Sequence, residues 1–148
     1  MARIYTAIQI QKPIERVFDY VTTPGNWPQW HPSSLSVAGA TDHSGQVGEQ
    51  VTEQYVVAGN RGKAVWTVRE RDVPRRWVID GAIEGRSSGG TVTYSLTARD
   101  GGTFFEREFT YPTPNLLFRL LDALIYRRRV QAESEQALRN LKRKLESR

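Results

Sequence analysis

The sequence predicts an α+β domain in which a seven-stranded, curved antiparallel sheet wraps around a long C-terminal helix. Six extended segments alternate with short turn-forming segments from residue 35 to residue 111, and a seventh extended segment begins at residue 3. The segment after residue 114 has helical periodicity without internal Gly or Pro. Short turns join neighbouring strands as antiparallel hairpins, and an amphipathic helix needs an apolar surface to cover its stripe. At 148 residues, the chain is expected to form one domain, residues 1–148.

A strand and two short helices are predicted before residue 33. In RIYTAIQIQ, isoleucines alternate with mostly polar residues, which is the period-two pattern of a half-buried strand. Pro13 is suited to the first turn of a helix over PIERVFDYV. Thr23 is suited to cap a second helix, which Pro32 limits to about two turns. The residues predicted to face the core are Ile4, Ile8, Ile10, Val17, Phe18 and Val21.

Six further strands are predicted before residue 112, in meander order. The segments are SLSVAGA, VGEQVTEQYVVA, KAVWTVRER, WVIDGAIE, TVTYSLTA and TFFEREFTY, joined by turns rich in Gly, Asn and Asp. The more apolar parity of each strand is assigned to the interior. This assignment turns two charged residues, Glu53 and Arg107, inward. The other predicted inward residues are Val51, Tyr55, Val57, Trp66, Val68, Trp77, Ile79, Ile83, Val92, Tyr94, Leu96, Phe105, Phe109 and Tyr111.

A C-terminal helix of about 30 residues, about 45 Å long, is predicted to follow an N-cap and first-turn pair at Thr113 and Pro114. Its apolar stripe is expected to pack on the concave face of the sheet. A coiled-coil dimer is the alternative, but polar residues such as Gln131 and Glu135 interrupt its seam. The stripe comprises Leu117, Leu120, Leu121, Leu124, Ile125, Leu138, Leu141 and Leu145.

The composition excludes several kinds of chemistry. Without cysteine there are no disulfides and no thiolate nucleophiles, and two histidines leave little for a metal cage, so neither a metal nor a cofactor is expected. There is no P-loop and no GxSxG motif. No apolar run approaches the roughly 20 residues of a membrane span, and no signal-peptide pattern is visible. A cytoplasmic location is therefore expected.

The net charge of +5 comes from the C-terminal segment. Residues 1–113 carry 12 basic and 12 acidic side chains, whereas residues 114–148 carry 9 basic and 4 acidic ones. A solvated helix face accounts for this excess. The alternative is an interaction module that docks on RNA, a ribosome or an anionic membrane. It would use Arg127, Arg128, Arg129, Lys142, Arg143 and Lys144.

Several segments together carry a family resemblance. They are the isoleucines that end in Lys12-Pro13, then Val17-Phe18, Pro24 with Trp27, Trp30 before His31-Pro32, Val68 before Asp72-Val73-Pro74, and the closing LLFRLLDALIYRRR. With the order of elements, they resemble the START-like (SRPBCC) superfamily of helix-grip proteins, and within it the polyketide cyclase/dehydrase and lipid-transport family. The resemblance covers essentially the whole chain. It implies a hydrophobic tunnel between sheet and helix, but it leaves the activity open because members range from lipid carriers to cyclases.

Two groups of residues form the predicted site. In GNWPQWHPSS, two tryptophans and His31 lie in a proline-broken segment, which suggests an aromatic rim at a cavity mouth. The alternative is that Trp30 seals the short helices onto the sheet. Glu53 and Arg107 would be costly on an apolar concave face unless they pair or fix the polar end of a ligand. The alternative is that a β-bulge turns both to solvent.

The predicted function is binding of a small hydrophobic or amphipathic molecule, such as a lipid, isoprenoid or polyketide-like compound, by a monomer or homodimer. A cyclase or dehydratase acting through His31 or Glu53 is the enzymatic alternative. The predicted ligand-binding residues are Trp27, Trp30, His31, Glu53, Tyr55, Trp66, Tyr94, Arg107, Phe109, Leu121 and Ile125.

Overall fold

Seven strands form one antiparallel sheet in the described part of the chain, in the order β1-β7-β6-β5-β4-β3-β2. The computed structural model describes residues 2–83, 89–112, 115–121 and 125–147, with only the backbone at 118 and 119. The elements are β1 (Ala2–Ile10), α1 (Ile14–Val21), a 3₁₀ helix (Pro24–Asn26), α2 (Trp27–Trp30), β2 (Ser34–Gly39), β3 (Gln50–Val57), β4 (Asn60–Asp72), β5 (Arg76–Ile83), β6 (Gly90–Arg99), β7 (Gly102–Tyr111), α3 (Leu116–Leu121) and α4 (Arg127–Glu146). The predicted fold class is confirmed.

Strand β1 closes one edge of the sheet by pairing with the last strand, β7. Thr6 of β1 and Tyr94 of β6 lie opposite Arg107 of β7 on its two sides. Arg107 therefore lies within a three-strand ladder and not at an edge of the sheet.

The predicted inward faces of the strands are confirmed. Register shifts occur between Ser34 and Ser36 and between Val68 and Glu70. Such bulges bend a strand and change its parity, but the extra residues lie on β2 and β4, so the parity of β3 and β7 is unchanged. Both side chains consequently face the interior, as their strand parity predicts.

Helix α4 packs its C-terminal half into the main core. Leu138, Leu141 and Leu145 are at most 2% exposed and belong to the same cluster as Trp30, Trp77 and Phe105. Polar contacts fix the helix on the sheet and on α2. Asn140 Nδ2 donates to the Trp30 carbonyl at 3.1 Å, and Lys142 Nζ donates to the Gln9 carbonyl at 2.8 Å.

The segment between β1 and β2 differs from its prediction in one detail. Thr23 does not cap the following helix with its side chain, because its hydroxyl donates to the carbonyl of Asp19 at 2.7 Å. The predicted second helix is a 3₁₀ turn followed by the single α-helical turn of α2. Pro28, which has no amide hydrogen, is consistent with such a short element.

The N-terminal half of the predicted helix stripe does not pack on the sheet, which corrects that prediction. Leu117, Leu120, Leu121 and Ile125 are all at least half exposed. The reason is that a cavity, which Leu121 borders, separates this part of the chain from the concave face of the sheet. The predicted cap at residues 113 and 114, and Leu124, lie outside the described residues.

This difference between the two halves predicts different costs for two leucine truncations. Leu141→Ala should lower the free energy of unfolding by about 2–5 kcal/mol, because it leaves a void in a packed core. Leu117→Ala, at a residue that is 66% exposed, should change it by about 0.5 kcal/mol or less. Urea unfolding of the two variants measures both values. Equal costs would show that Leu117 is packed in solution.

Candidate functional site

A cavity of about 830 Å³ lies between the concave face of the sheet and α4. Its volume is within the range of roughly 300–1,000 Å³ that is common for small-molecule sites. The walls combine aliphatic and aromatic side chains with a few polar groups. The predicted site residues that line it are His31, Glu53, Tyr55, Trp66, Arg107, Phe109 and Leu121.

Two glycines help to shape the cavity wall. Gly62 lies opposite Tyr55, and Gly81 lies opposite Trp66, in the β-ladder. A Cβ atom at Gly81 would come within 2.6 Å of the Trp66 ring, and one at Gly62 would overlap the Tyr55 phenol. The absence of a side chain at each glycine therefore lets the aromatic ring lie along the neighbouring strand. Ring positions close to the sheet leave the space above it open.

Arg107 is a buried cation that faces this cavity. The residue is 9% exposed, and its Nη1 donates to Ser134 Oγ of α4 at 3.5 Å, a long hydrogen bond. Its Nε–H has no hydrogen-bond acceptor in the described part of the chain. The guanidinium carbon lies 6.0 Å from the centre of the Phe109 ring. The Tyr94 hydroxyl also interacts with this guanidinium. A buried guanidinium whose Nε–H has no acceptor is nevertheless costly unless something else compensates it.

Glu53 faces the same cavity without pairing directly with Arg107. No ion pair within 4.0 Å joins the two residues, both of which the structure describes. The Glu53 carboxylate instead accepts a hydrogen bond from Trp66 Nε1 at 3.0 Å. Burial raises the pKa of Glu53, and the bond from Trp66 and the charge of Arg107 oppose that shift. The prediction that both charges face inward is confirmed, but the direct contact is absent.

His31 is held as a neutral hydrogen-bond donor. Its Nδ1 accepts the backbone N–H of Ser33 at 3.1 Å, so the ring hydrogen of the neutral form is on Nε2. Burial, and then the charge of Arg107, lower the pKa of His31 well below its usual value. In this tautomer, neither ring nitrogen is free to accept a proton.

Four predicted site residues do not line the large cavity. Trp27 and Trp30 are 5% and 1% exposed, so the predicted aromatic rim is wrong, and the alternative in which Trp30 seals the short helices is confirmed. Trp27 packs on Trp77 at 6.2 Å between ring centres, and Trp30 packs on Tyr94 at 6.4 Å. The third such residue is Tyr94 itself, which is 3% exposed and borders a much smaller pocket beside the cavity. Ile125 is 63% exposed and lies away from the wall.

The structure also adds residues that the sequence analysis missed. Ser134 is 1% exposed and contacts Arg107. Its position was detectable, because it lies four residues from both Val130 and Leu138 on the buried stripe of α4. Arg61 and Lys63 of β4 also border the cavity.

His43 lies between two carboxylates in the segment that joins β2 to β3. Its Nδ1 is 2.7 Å from Asp42 Oδ1, and its Nε2 is 2.8 Å from Glu49 Oε2. These contacts raise the pKa of His43. The side chain is 46% exposed, so the cluster is a surface feature. Among the described residues, no group of three or more His, Asp or Glu residues could hold a metal ion.

The curved sheet, the C-terminal helix and the cavity between them define a START-like helix-grip domain. The chain belongs to the family described as polyketide cyclase/dehydrase and lipid transport, whose model matches residues 1–146. No curated protein sequence is significantly similar to this chain. No helix in the described ranges is long and apolar enough to cross a membrane.

Solved structures with low sequence identity share this fold. Protein TTHA0849 from Thermus thermophilus has a TM-score of 0.78 at 15% identity, covering 99% of this chain and 98% of that one. Protein Ms6760 from Mycobacterium smegmatis has a TM-score of 0.69 at 20% identity, covering 98% and 91%. The Aha1 dimer from Colwellia psychrerythraea has a TM-score of 0.66 at 16% identity, covering 96% and 94%. At these identities the likeness concerns the fold alone.

The two histidines are expected to titrate on opposite sides of the usual pKa of about 6.5. NMR titration of the imidazole C–H signals, assigned with His43→Gln, should give a low pKa for His31 and a raised one for His43. Arg107→Met should raise the pKa of His31 part of the way, because burial remains, and should leave His43 unchanged. A His31 pKa that does not respond to Arg107→Met would contradict the proximity of the two residues.

Proposed function

We propose that this protein binds a small hydrophobic or amphipathic molecule in the cavity between the sheet and α4. The observation that carries this proposal is the cavity of about 830 Å³, with a wall rich in aliphatic and aromatic side chains and a few buried polar groups. Pockets of this kind bury most of the surface of a small ligand and orient it with a few polar contacts. Membership of a family described by polyketide cyclisation and lipid transport supports the same class of ligand.

The polar groups of the cavity favour an amphipathic ligand over a purely apolar one. Arg107 and His31 present N–H donors, and Glu53 presents a carboxyl group, on walls that also carry many aliphatic and aromatic side chains. A hydrocarbon bound against these groups would desolvate them without replacing their bonds to water. Catalysis by His31 or Glu53 stays a prediction.

Filling the cavity should abolish binding. Ala64 is buried on the cavity wall, whereas its neighbour Val65 is 38% exposed and is not among the lining residues. Ala64→Phe should weaken binding of the neutral fluorescent probe N-phenyl-1-naphthylamine by about tenfold or more, a loss of at least about 1.4 kcal/mol. Val65→Phe is the matched control and should bind as the unmodified protein does.

Fluorescence titration measures both affinities, and thermal unfolding checks that the variants are folded. Native mass spectrometry of the protein as purified should also show a co-purified small molecule that Ala64→Phe lacks. The same probe affinity in Ala64→Phe and Val65→Phe would show that the probe binds elsewhere, and the proposal would fail.

A second candidate function is docking on an anionic lipid membrane, and the exposed side of α3 favours it. Leu116, Leu117, Leu120 and Leu121 are between 50% and 73% exposed on this short helix. The exposed residues Arg127, Arg128 and Arg129 follow at the start of α4. Basic residues near an anionic surface contribute about 1 kcal/mol each, and adjacent leucines can add apolar burial. Leu121 also borders the cavity, so this surface adjoins the proposed ligand site.

Vesicle sedimentation tests the membrane proposal. The protein should bind vesicles that contain phosphatidylglycerol and should not bind phosphatidylcholine vesicles, with weaker binding as salt rises. The double substitution Leu117→Glu and Leu120→Glu should abolish this binding. Val47→Glu, at an exposed residue between β2 and β3, should not. Unchanged vesicle binding by the double variant would contradict docking through α3, and a changed molecular mass would indicate that α3 contacts a second copy.

A further inference from the structure

A small chamber adjoins the cavity and shares part of its wall. It has a volume of about 30 Å³ and is bordered by His31, Glu53 and Arg107, which also line the large cavity, and by Trp30 and Tyr94. One water molecule requires roughly 10–15 Å³ of such space, so the chamber can hold a small polar group. Trp30 and Tyr94 are at most 3% exposed, so one side of the chamber borders the packed core.

Hydrogen-bond donors dominate this chamber. Arg107 Nε and Trp30 Nε1 are buried and have no acceptor among the described residues. Both atoms carry a hydrogen and can only donate. His31 adds a third N–H at Nε2, because its Nδ1 already accepts the backbone N–H of Ser33. Unsatisfied buried donors are rare in native proteins and call for an explanation.

The charged side chains that face the cavity leave Arg107 without a carboxylate partner. Of the described charged residues that border it, Glu53 and Arg107 have the inward strand parity, whereas Arg61 and Lys63 lie opposite Val56 and Gln54 on the other face of the sheet. Glu53 already accepts the Trp66 indole N–H and does not form an ion pair with Arg107. The side chain of Arg107 therefore has no direct carboxylate partner in the cavity.

We propose that the chamber binds the carboxylate of an amphipathic acid, with Arg107 as its counterion and Trp30 and His31 as further donors. A carboxylate offers two acceptor oxygens, which match the planar fork of a guanidinium. It is also small enough for the chamber. The apolar part of the acid would then extend along Phe109 towards Leu121. This inference rests on the ligand-binding function proposed above and adds the chemical class and the direction of the ligand.

A pair of probes that differ only in charge tests the inference. Cis-parinaric acid is a fluorescent fatty acid, and its primary amide has nearly the same shape without the charge. At neutral pH, the protein should bind the acid about tenfold or more tightly than the amide, as expected for a charge-assisted hydrogen bond in a buried site. Arg107→Met should remove this preference by weakening the acid and leaving the amide nearly unchanged.

Two further variants complete the experiment. Arg107→Lys keeps the positive charge but lacks the planar, forked donors of the guanidinium, so it should retain part of the preference for the acid over the amide. Arg75→Met, whose side chain is 67% exposed in the turn between β4 and β5, should retain all of it. If Arg107→Met does not fold, the ratio of affinities in the unmodified protein and in Arg107→Lys still tests the inference.

The possible outcomes distinguish failure of the carboxylate site from failure of the proposed ligand-binding function. Equal binding of acid and amide by the unmodified protein, or a full preference for the acid in Arg107→Met, would overturn the carboxylate site and leave the binding function intact. If neither probe binds in the cavity that Ala64→Phe fills, both the carboxylate site and the ligand-binding function are overturned. A preference for the acid that depends on Arg107 supports the inference.

Discussion

Helix α4 covers only part of the concave face of the sheet, and the cavity exists because the rest of that face is left uncovered. Its C-terminal half is held in the main core by Leu138, Leu141 and Leu145. Its first turn is held in a second, smaller cluster, in which Val130 packs with Ala2, Ile4 and Tyr111. The cavity is bordered by residues of this second cluster and by the polar residues on β3 and β7. Two separate packing contacts thus fix the helix while the space beside it stays open.

The open space changes the energetics of the polar residues that face it. A guanidinium in a closely packed apolar core would lack both water and acceptors, and its burial would cost several kcal/mol. Arg107 faces a cavity, where solvent or a ligand can reach the groups that Ser134 leaves unsatisfied. The charge of Arg107 in turn lowers the pKa of His31 and opposes the rise in the pKa of Glu53. One buried cation therefore influences the protonation of His31 and of Glu53.

The fold and the inward faces of its strands could be predicted from sequence because they depend on local periodicity. The parity of β3 and β7 placed Glu53 and Arg107 correctly, since the bulges of the sheet lie on other segments. The positions of Trp27 and Leu117 could not be predicted in this way. A proline-broken segment can turn its aromatic residues towards the core or towards an opening, and an amphipathic stripe does not specify its partner. The roles of Gly62 and Gly81 depend on cross-strand register, which pairs each with an aromatic ring.

The incorrect prediction that the α3 leucines pack on the sheet and the presence of the cavity concern the same space. Had the leucines of α3 packed on the concave face as their pattern suggests, they would have filled the space that Tyr55, Trp66 and Arg107 now border. An exposed apolar helix and an unfilled cavity each reduce the hydrophobic contribution to folding. Both costs lie at one end of the domain, whereas the other end has a densely packed aromatic core around Trp77. A ligand in the cavity would bury apolar surface that the folded chain alone leaves exposed. Binding should therefore raise the free energy of unfolding and offset part of the stability lost at this end of the domain.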